Sequence, residues 1–179
     1  DQLKMIANYA VGFNNIDLKA AKERKIVVTN APGPEIVESV AEHAVGFILG
    51  LAHRIVETDK FTRQGKYHGW GPKIFIGTDV NGKTLGIIGT GRIGTALAKR
   101  MHDGFGVNII YTDIARNKAL EKKYKAKYRT KAQLLKEADF VSLHVPLLPS
   151  TRHMISTKEL KQMKKSAFLI NTSRGPVVD

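Results

Sequence analysis

Residues 84–94 read Thr-Leu-Gly-Ile-Ile-Gly-Thr-Gly-Arg-Ile-Gly, an apolar run that closes on glycines in the spacing Gly-x-Gly-x-x-Gly. A short apolar run bounded by glycine predicts a buried strand over residues 85–88. Gly89 would allow a tight turn, Gly91 the close approach of a pyrophosphate, and Gly94 the close packing of a following helix. The stretch therefore predicts a strand, a phosphate-binding turn and a helix N-terminus in succession.

An acidic residue stands at the distance that a dinucleotide-binding unit requires. Asp113 comes about 20 residues after the glycine turn, at the end of a second apolar run. Its carboxylate can accept hydrogen bonds from ribose hydroxyls and would repel a 2′-phosphate, which favours NAD over NADP. Aspartate also commonly caps turns, and Arg116 is the feature that could still admit a phosphate. We therefore expect NAD as the cofactor, with NADP less favoured.

Composition limits the class of protein. The chain has 179 residues, no cysteine and a formal net charge of +13. This length suits one good core, and the lack of cysteine excludes disulfides and thiolate metal sites, so no metal is expected. No apolar run approaches the length of a bilayer span, and we expect a cytoplasmic protein without a membrane partner.

The basic residues are concentrated between positions 116 and 136, where Glu121 is the acidic residue. Such a patch can bind nucleic acid, with an affinity that falls steeply with salt and is indifferent to NAD. No nucleic-acid motif accompanies it, and lysine-rich helix faces are commonly just solvated. We expect no nucleic-acid partner.

Strand and helix patterns alternate from residue 83 onward. Further strands are predicted over residues 107–111, 126–128, 140–143 and 167–170. Ser156 and Glu159 have the spacing of a capping box for the helix before the last strand. The predicted fold is therefore α/β, a Rossmann-like parallel sheet with helices on both faces.

The first part of the chain is organised differently. A short helix is predicted over residues 16–24, a strand over 26–29, and a Pro-containing linker over 31–34. Ser39 and Glu42 have capping-box spacing, and the apolar face that follows predicts one helix to Val56, buried or at a subunit interface. We interpret residues 61–80 as an irregular covering loop.

Two more segments follow predicted strands, where ligands of open parallel sheets bind. They are His-Val-Pro at residues 144–146 and Asn-Thr-Ser-Arg-Gly at residues 171–175. Thr172 and Ser173 can hydrogen-bond a cofactor, while Arg174 could hold a carboxylate bidentately and polarise an adjacent carbonyl. A surface ion pair is an equally good interpretation of Arg174 from position alone.

Taken together, the motifs resemble the D-isomer-specific 2-hydroxyacid dehydrogenase family. The glycine turn ending in Arg-Ile-Gly, the His-Val-Pro segment and the Asn-x-Ser-Arg-Gly motif stand here in the family's order. Residues 10–17 are similar to the end of its substrate-binding domain, and residues 69–72 and 82–83 to its glyoxylate and hydroxypyruvate reductase branch. The resemblance covers essentially the whole chain.

The resemblance implies NAD(H)-dependent reduction of a small 2-oxo acid, such as glyoxylate, hydroxypyruvate or pyruvate, to the D-2-hydroxy acid by a homodimer. Arg174 is the implied catalytic arginine, and the backbone N–H groups of Val11 and Gly12 are implied to bind the substrate carboxylate. The implied cofactor contacts are Gly89, Gly91, Arg92, Ile93, Gly94, Asp113, His144, Val145, Pro146, Thr151, Thr172, Ser173 and Arg174.

The resemblance also implies a fragment. The family's general acid is a histidine paired with a glutamate, and both lie downstream of the Asn-x-Ser-Arg-Gly motif. His144 is near the right place but has no evident carboxylate partner. We expect the acid pair beyond Asp179, a Rossmann domain over residues 35–179 that is incomplete at its C-terminal end, and a substrate-domain remnant with a linker over residues 1–34. An NAD-sensing corepressor of the same family is the alternative function.

Overall fold

A parallel five-stranded sheet organises the computed structural model, which describes residues 2–179. In chain order the elements are β1 (Met5–Asn8), α1 (Leu18–Glu23), β2 (Val27–Asn30), α2 (Pro34–Ala52), α3 (Ile55–Arg63), β3 (Thr84–Ile88), α4 (Arg92–Phe105), β4 (Asn108–Thr112), α5 (Lys118–Tyr124), β5 (Lys127–Tyr128), α6 (Lys131–Glu137), β6 (Phe140–Leu143), α7 (Thr157–Leu160), β7 (Phe168–Asn171) and a 3-10 turn (Gly175–Val177).

The strand order of this sheet places the glycine turn at its topological switch point. The strands run β5-β4-β3-β6-β7, and each neighbouring pair is parallel. The chain moves outward from β3 through β4 to β5, then crosses to β6 on the other side of β3. In open parallel sheets, ligands bind where the direction reverses, which here is beyond the carboxyl ends of β3 and β6. The predicted fold class is confirmed, and every predicted strand lies within about one residue of its predicted bounds.

Helices cover both faces of the sheet. On one face, α2 and α4 contribute Ile48, Leu97 and Met101 to a core with the buried β3 residues Leu85 and Ile87. On the other face, α6 contributes Leu134 and Leu135. Gly86 permits this second contact, since a Cβ at that position would lie 2.6 Å from Leu134 Cδ2. β3 is buried on both faces and is apolar for that reason.

The N-terminal residues form a separate small sheet. β1 and β2 pair in parallel, and α1 connects them. The Asp17 side chain accepts a hydrogen bond from Ala20 N at 2.9 Å and so caps α1. The predicted helix and strand in this region are both present, and β1 is an additional strand. The division of the chain into residues 1–34 and 35–179 stays a prediction, and residue 1 lies outside the described residues.

The predictions for residues 31–63 were wrong in three places. The expected linker ends one residue early, because Pro34 is the first residue of α2 and proline is preorganised for that position. Ser39 therefore lies inside the helix, and its hydroxyl donates to Glu35 O instead of capping. The helix also ends at Ala52, since Arg54 adopts a left-handed φ of 54°, and α3 then occupies the start of the expected loop.

This break leaves apolar side chains on the surface. A groove of about 590 Å³ lies beside it, lined by residues of α2, α3 and the segment that precedes β3. Val56 and Ile76 at this groove are 77% and 67% exposed. Within residues 2–179 no single helix is long and apolar enough to cross a bilayer; α2 and α3 together reach the required length and composition, with a bend of 64° between them.

Acidic residues outside the basic stretch neutralise part of it. Arg116 pairs with Glu121 inside the stretch, as its composition indicated. In addition, Arg129 pairs with Glu137, and Lys131 donates to Glu159 on α7. Glu137 directly follows the stretch and the fold brings Glu159 to it, so a count within residues 116–136 overstated the free positive charge.

Candidate functional site

The three glycines of the turn have different surroundings. Gly89 has a φ of +92°, and a Cβ there would lie 2.6 Å from His144 O. A Cβ at Gly94 would collide with the carbonyl oxygen of Gly89. By contrast, a Cβ at Gly91 would meet nothing within 4 Å. Gly89 and Gly94 are thus required because neighbouring backbone atoms pack against them. Gly91 has open space beside it, which a pyrophosphate could approach.

The N-terminus of α4 faces this space. Gly91 is its N-cap and provides no side-chain cap, and the first turn of the helix has no acidic residue. The first intrahelical bond runs from Thr95 N to Gly91 O, which leaves the N–H groups of Arg92, Ile93 and Gly94 without helical partners. These donors and the positive end of a 14-residue helix fit an anion such as a pyrophosphate.

Asp113 links the end of β4 to the glycine turn. Its Oδ2 accepts hydrogen bonds from Thr90 N at 2.6 Å and Thr90 Oγ1 at 2.8 Å. Its Oδ1 accepts from Ile114 N at 2.7 Å. Asn117 Nδ2 adds a bond to Thr90 O. Asp113 therefore both caps a turn and lies at the strand end where we expected the ribose.

The His144 to Pro146 segment lies behind the glycine turn. Ser142 Oγ lies 2.8 Å from His144 Nε2, and Thr172 Oγ1 lies 3.5 Å from Nδ1. Burial lowers the pKa of His144 to about 4, so the imidazole is neutral at pH 7. It is therefore not in the imidazolium form, which gives up a proton more readily than the neutral ring does. The Thr151 hydroxyl donates to Pro146 O, so it closes the following loop.

Asn171 shapes the loop that carries Arg174. Its Oδ1 accepts from Ser173 N at 3.0 Å and Ser173 Oγ at 2.8 Å, and its Nδ2 donates to Arg174 O at 2.9 Å. The guanidinium donates to Ser173 O and, through Nε, to Asn14 Oδ1, both at 2.8 Å. Asn171 thus fixes the backbone, and Asn14 fixes the direction of the guanidinium.

The N-terminal loop meets Arg174 across 160 positions of sequence. A Cβ at Gly12 would collide with the Arg174 guanidinium, so the backbone of Gly12 lies directly against it. Asn30 donates to Val11 O, and Asn8 donates to Gly12 O. The N–H groups of Val11 and Gly12 have no acceptor among residues 2–179. The structure therefore brings together the three residues predicted to bind a carboxylate.

The alternative interpretation of Arg174 as a surface ion pair lacks a partner. None of the ion pairs found in the described part of the chain involves Arg174. Its neighbours are amide and carbonyl oxygens, which orient the guanidinium without neutralising it. A planar cation beside free backbone N–H groups can bind a carboxylate and polarise an adjacent carbonyl.

Sequence reasoning missed the asparagines that build this site. Asn8 and Asn30 end β1 and β2, and Asn14 lies in the loop between β1 and α1. Their only sequence signal is position at strand ends and in a loop, which many asparagines share. Their roles depend on contacts between distant segments, which local patterns do not encode.

The site contains no histidine and carboxylate pair among residues 2–179. His102 pairs with Asp103 in α4, and His153 contacts Asp179. Neither pair includes a neighbour of Arg174. No group of side chains able to hold a metal ion occurs in the same residues. The described residues therefore place a cation and free backbone donors together, with no histidine–carboxylate pair beside them.

Comparison with known proteins agrees with this geometry. The family model described as D-isomer specific 2-hydroxyacid dehydrogenase, NAD binding domain, matches residues 45–179. A glyoxylate reductase from Thermococcus litoralis is 52% identical over 182 residues, covering 99% of this chain and 54% of that protein. One from Korarchaeum cryptofilum is 48% identical over 179 residues, covering 99% and 53%. The chain spans about half the length of the curated relatives it matches.

Solved structures of related sequence share the fold of this chain. A D-lactate dehydrogenase from Aquifex aeolicus, complexed with NAD and lactic acid, superposes with a TM-score of 0.88 at 38% identity. The match covers 99% of this chain and 52% of that chain. The TT0316 protein from Thermus thermophilus superposes with a TM-score of 0.91 at 41% identity, covering 99% and 55%.

The glycine turn generates a prediction that separates packing from ligand binding. Gly91→Val should leave stability almost unchanged but weaken NADH binding by at least about tenfold, because the new side chain fills the open space. Gly94→Ala should lower the free energy of unfolding by about 1–3 kcal/mol through its collision with Gly89 O. Urea unfolding and calorimetry measure both effects. Gly104→Ala, on the same helix, is the control and should be neutral or slightly stabilising; unchanged NADH affinity in Gly91→Val would contradict the assignment.

His144 generates a prediction about pH. Its folded-state pKa of about 4 lies below the ordinary histidine value of 6.5, so protonation favours unfolding. The stability it contributes is complete above pH 6.5 and is lost as the pH falls toward 4, by at most about 3 kcal/mol. Urea unfolding of wild type and His144→Asn across this range should show a flatter profile for the variant. The exposed His68→Asn serves as control, and parallel profiles for wild type and His144→Asn would refute the assignment.

Proposed function

The chain belongs to the D-isomer-specific 2-hydroxyacid dehydrogenase family, and from that premise we propose that the protein reduces a small 2-oxo acid to the D-2-hydroxy acid with NADH. Glyoxylate is the first candidate substrate, because relatives named glyoxylate reductases are 52% and 48% identical to this chain. Hydroxypyruvate and pyruvate are the other candidates, as small acids with the same 2-oxo carboxylate.

One observation carries this proposal: Arg174 and Gly12, which come from opposite ends of the chain, are in direct contact beyond the end of β7. The contact joins a planar cation to two free backbone donors. A 2-oxo acid presents a carboxylate and an adjacent carbonyl, and this arrangement matches both groups. In the proposal the N–H groups of Val11 and Gly12 bind the carboxylate, while Arg174 binds it and polarises the carbonyl.

The remaining site residues fit an NAD-binding role. The clear space at Gly91 and the free N–H groups of α4 would hold the pyrophosphate, and Asp113 would accept bonds from the ribose hydroxyls. Val145 lies beside the glycine turn, and Thr172 and Ser173 lie in the Arg174 loop at the same edge of the sheet. Bound NADH supplies the hydride for the carbonyl carbon. The ring nitrogens of His144 lie beside the Ser142 and Thr172 hydroxyls and not beside a carboxylate, so we assign the proton for the product alkoxide to a group other than His144.

We also propose that the protein forms a homodimer through the surface beside the α2 and α3 break. Val56 and Ile76 there are more than half exposed, and the groove beside them is mostly apolar in its lining residues. A contiguous apolar surface of this kind is costly in water and is typical of subunit interfaces. A second copy could place its own protruding side chains in this groove through an isologous contact.

The catalytic proposal predicts the effect of a conservative change. In the whole protein, Arg174→Lys keeps the charge but loses the planar fork, so kcat/KM for glyoxylate should fall by about 100- to 1000-fold. NADH affinity should stay within about twofold. Steady-state kinetics and calorimetry test this, with the exposed Arg63→Lys as control. A normal rate in Arg174→Lys would remove this residue from the site.

The dimer proposal predicts a change of mass. Val56→Glu should convert a dimer into a folded monomer, because a buried unpaired carboxylate is costly at an interface and harmless at an exposed position. Light scattering after size-exclusion chromatography measures the mass, and circular dichroism checks the fold. Leu148→Glu, at another exposed apolar position, should remain dimeric. A dimer that survives both Val56→Glu and Ile76→Glu would place the interface elsewhere.

A further inference from the structure

Besides Asp113, a second carboxylate, that of Glu121, is hydrogen-bonded to Arg116 in the segment that follows β4. Arg116 lies three positions after Asp113, in the segment that follows β4. Its side chain is 62% exposed and long enough to turn toward the ribose position proposed beside Asp113. An arginine at this place is the group that accommodates the 2′-phosphate of NADP in dinucleotide-binding folds. Arg116 could therefore bind the 2′-phosphate of NADP, which would oppose the NAD preference expected from Asp113.

The structure shows Arg116 paired with Glu121 through two hydrogen bonds. Arg116 Nε donates to Glu121 Oε1 at 2.9 Å, and Nη2 donates to Oε2 at 3.0 Å. This is a bidentate pair, in which the planar fork of the guanidinium is matched to the carboxylate. The guanidinium carbon also lies 5.9 Å from the centre of the Tyr128 ring. Glu121 is only 22% exposed, so the pair is more restrained than an ordinary surface ion pair.

A buried tyrosine holds Glu121 in this position. Tyr111 on β4 is fully buried, and its hydroxyl donates to Glu121 Oε1 at 2.6 Å while accepting from Asn117 N at 2.8 Å. Asn117 in turn donates to Thr90 O in the glycine turn. Arg116, followed by the Tyr111 hydroxyl, lowers the pKa of Glu121, which therefore stays ionised at neutral pH. The orientation of Arg116 thus depends on Tyr111 of β4, which positions Glu121.

From this geometry we propose that Glu121 is a specificity-determining residue, which rejects NADP by holding Arg116 away from the 2′-phosphate. The proposal rests on the NAD-binding function proposed above. Glu121 acts through Arg116 and is a positioning residue. Among these three groups alone, the two carboxylates outweigh the one arginine. A 2′-phosphate would meet the Asp113 charge while the Arg116 guanidinium, three positions away in sequence, is held by Glu121.

The proposal implies that the two carboxylates act together. Removing Asp113 alone takes away the repulsion but leaves Arg116 bonded to Glu121. Removing the Glu121 charge alone releases Arg116 while Asp113 still repels a phosphate. We therefore expect the two changes to be non-additive, with the largest gain in NADPH affinity when both are made.

The experiment measures Kd for NADH and NADPH by calorimetry on the whole protein. Glu121→Gln keeps an acceptor for the Tyr111 hydroxyl and removes the charge, so the NADPH to NADH affinity ratio should rise by about tenfold. Adding Arg116→Ala to Glu121→Gln should abolish the gain. The matched control is Glu137→Gln, which breaks the Arg129 ion pair and should leave the ratio unchanged. Binding of 2′,5′-ADP relative to 5′-AMP should shift in the same direction as the ratio.

Three results would overturn the proposal. An unchanged ratio in folded Glu121→Gln would show that Glu121 does not restrain selectivity, and a gain that survives Arg116→Ala would show that Arg116 is not the phosphate partner. If Glu121→Gln fails to fold, Arg116→Ala alone decides: an unchanged NADPH affinity supports the proposal, and a fall shows that Arg116 already reaches the phosphate. Wild type that binds neither cofactor would instead overturn the proposed function itself.

Discussion

The absence of a side chain at residue 94 is the constraint on which the rest of the arrangement depends. Only glycine there lets α4 begin directly against the carbonyl of Gly89 at the end of β3. This approach directs the first N–H groups of α4 toward the turn, and it fixes Thr90, to which Asp113 is bonded. The phosphate-facing and ribose-facing parts of the proposed site therefore share one packing contact.

Local sequence patterns predicted the sheet well because its strands are short, apolar and bounded by turn residues. Even the two-residue strand β5 begins only one residue after its predicted start. Helix boundaries in residues 31–63 were predicted poorly, because a strong capping-box spacing at Ser39 competed with the proline start at Pro34. The left-handed Arg54 that ends α2 has no sequence signal, since arginine rarely adopts that conformation without support from tertiary contacts.

The candidate site was predictable only in part. Its glycines, Asp113 and Arg174 belong to motifs with fixed spacing, whereas the asparagines around Arg174 come from separate strands and loops. Those amides are suited to their task because they donate to carbonyls and accept from the guanidinium while adding no charge. An aspartate in place of Asn14 would neutralise Arg174 and compete with an acidic ligand. The charge of Arg174 is thus kept available for such a ligand.

The contact between Gly12 and Arg174 also connects the two sheets of the structure. The two residues follow strands of different sheets, so an acid held between them would join the small N-terminal sheet to the large one. A ligand that binds only the joined arrangement stabilises it, by about 2.7 kcal/mol at 100 times its Kd. An acid bound there would therefore oppose separation of the two sheets, and its affinity would in turn depend on how readily the sheets separate.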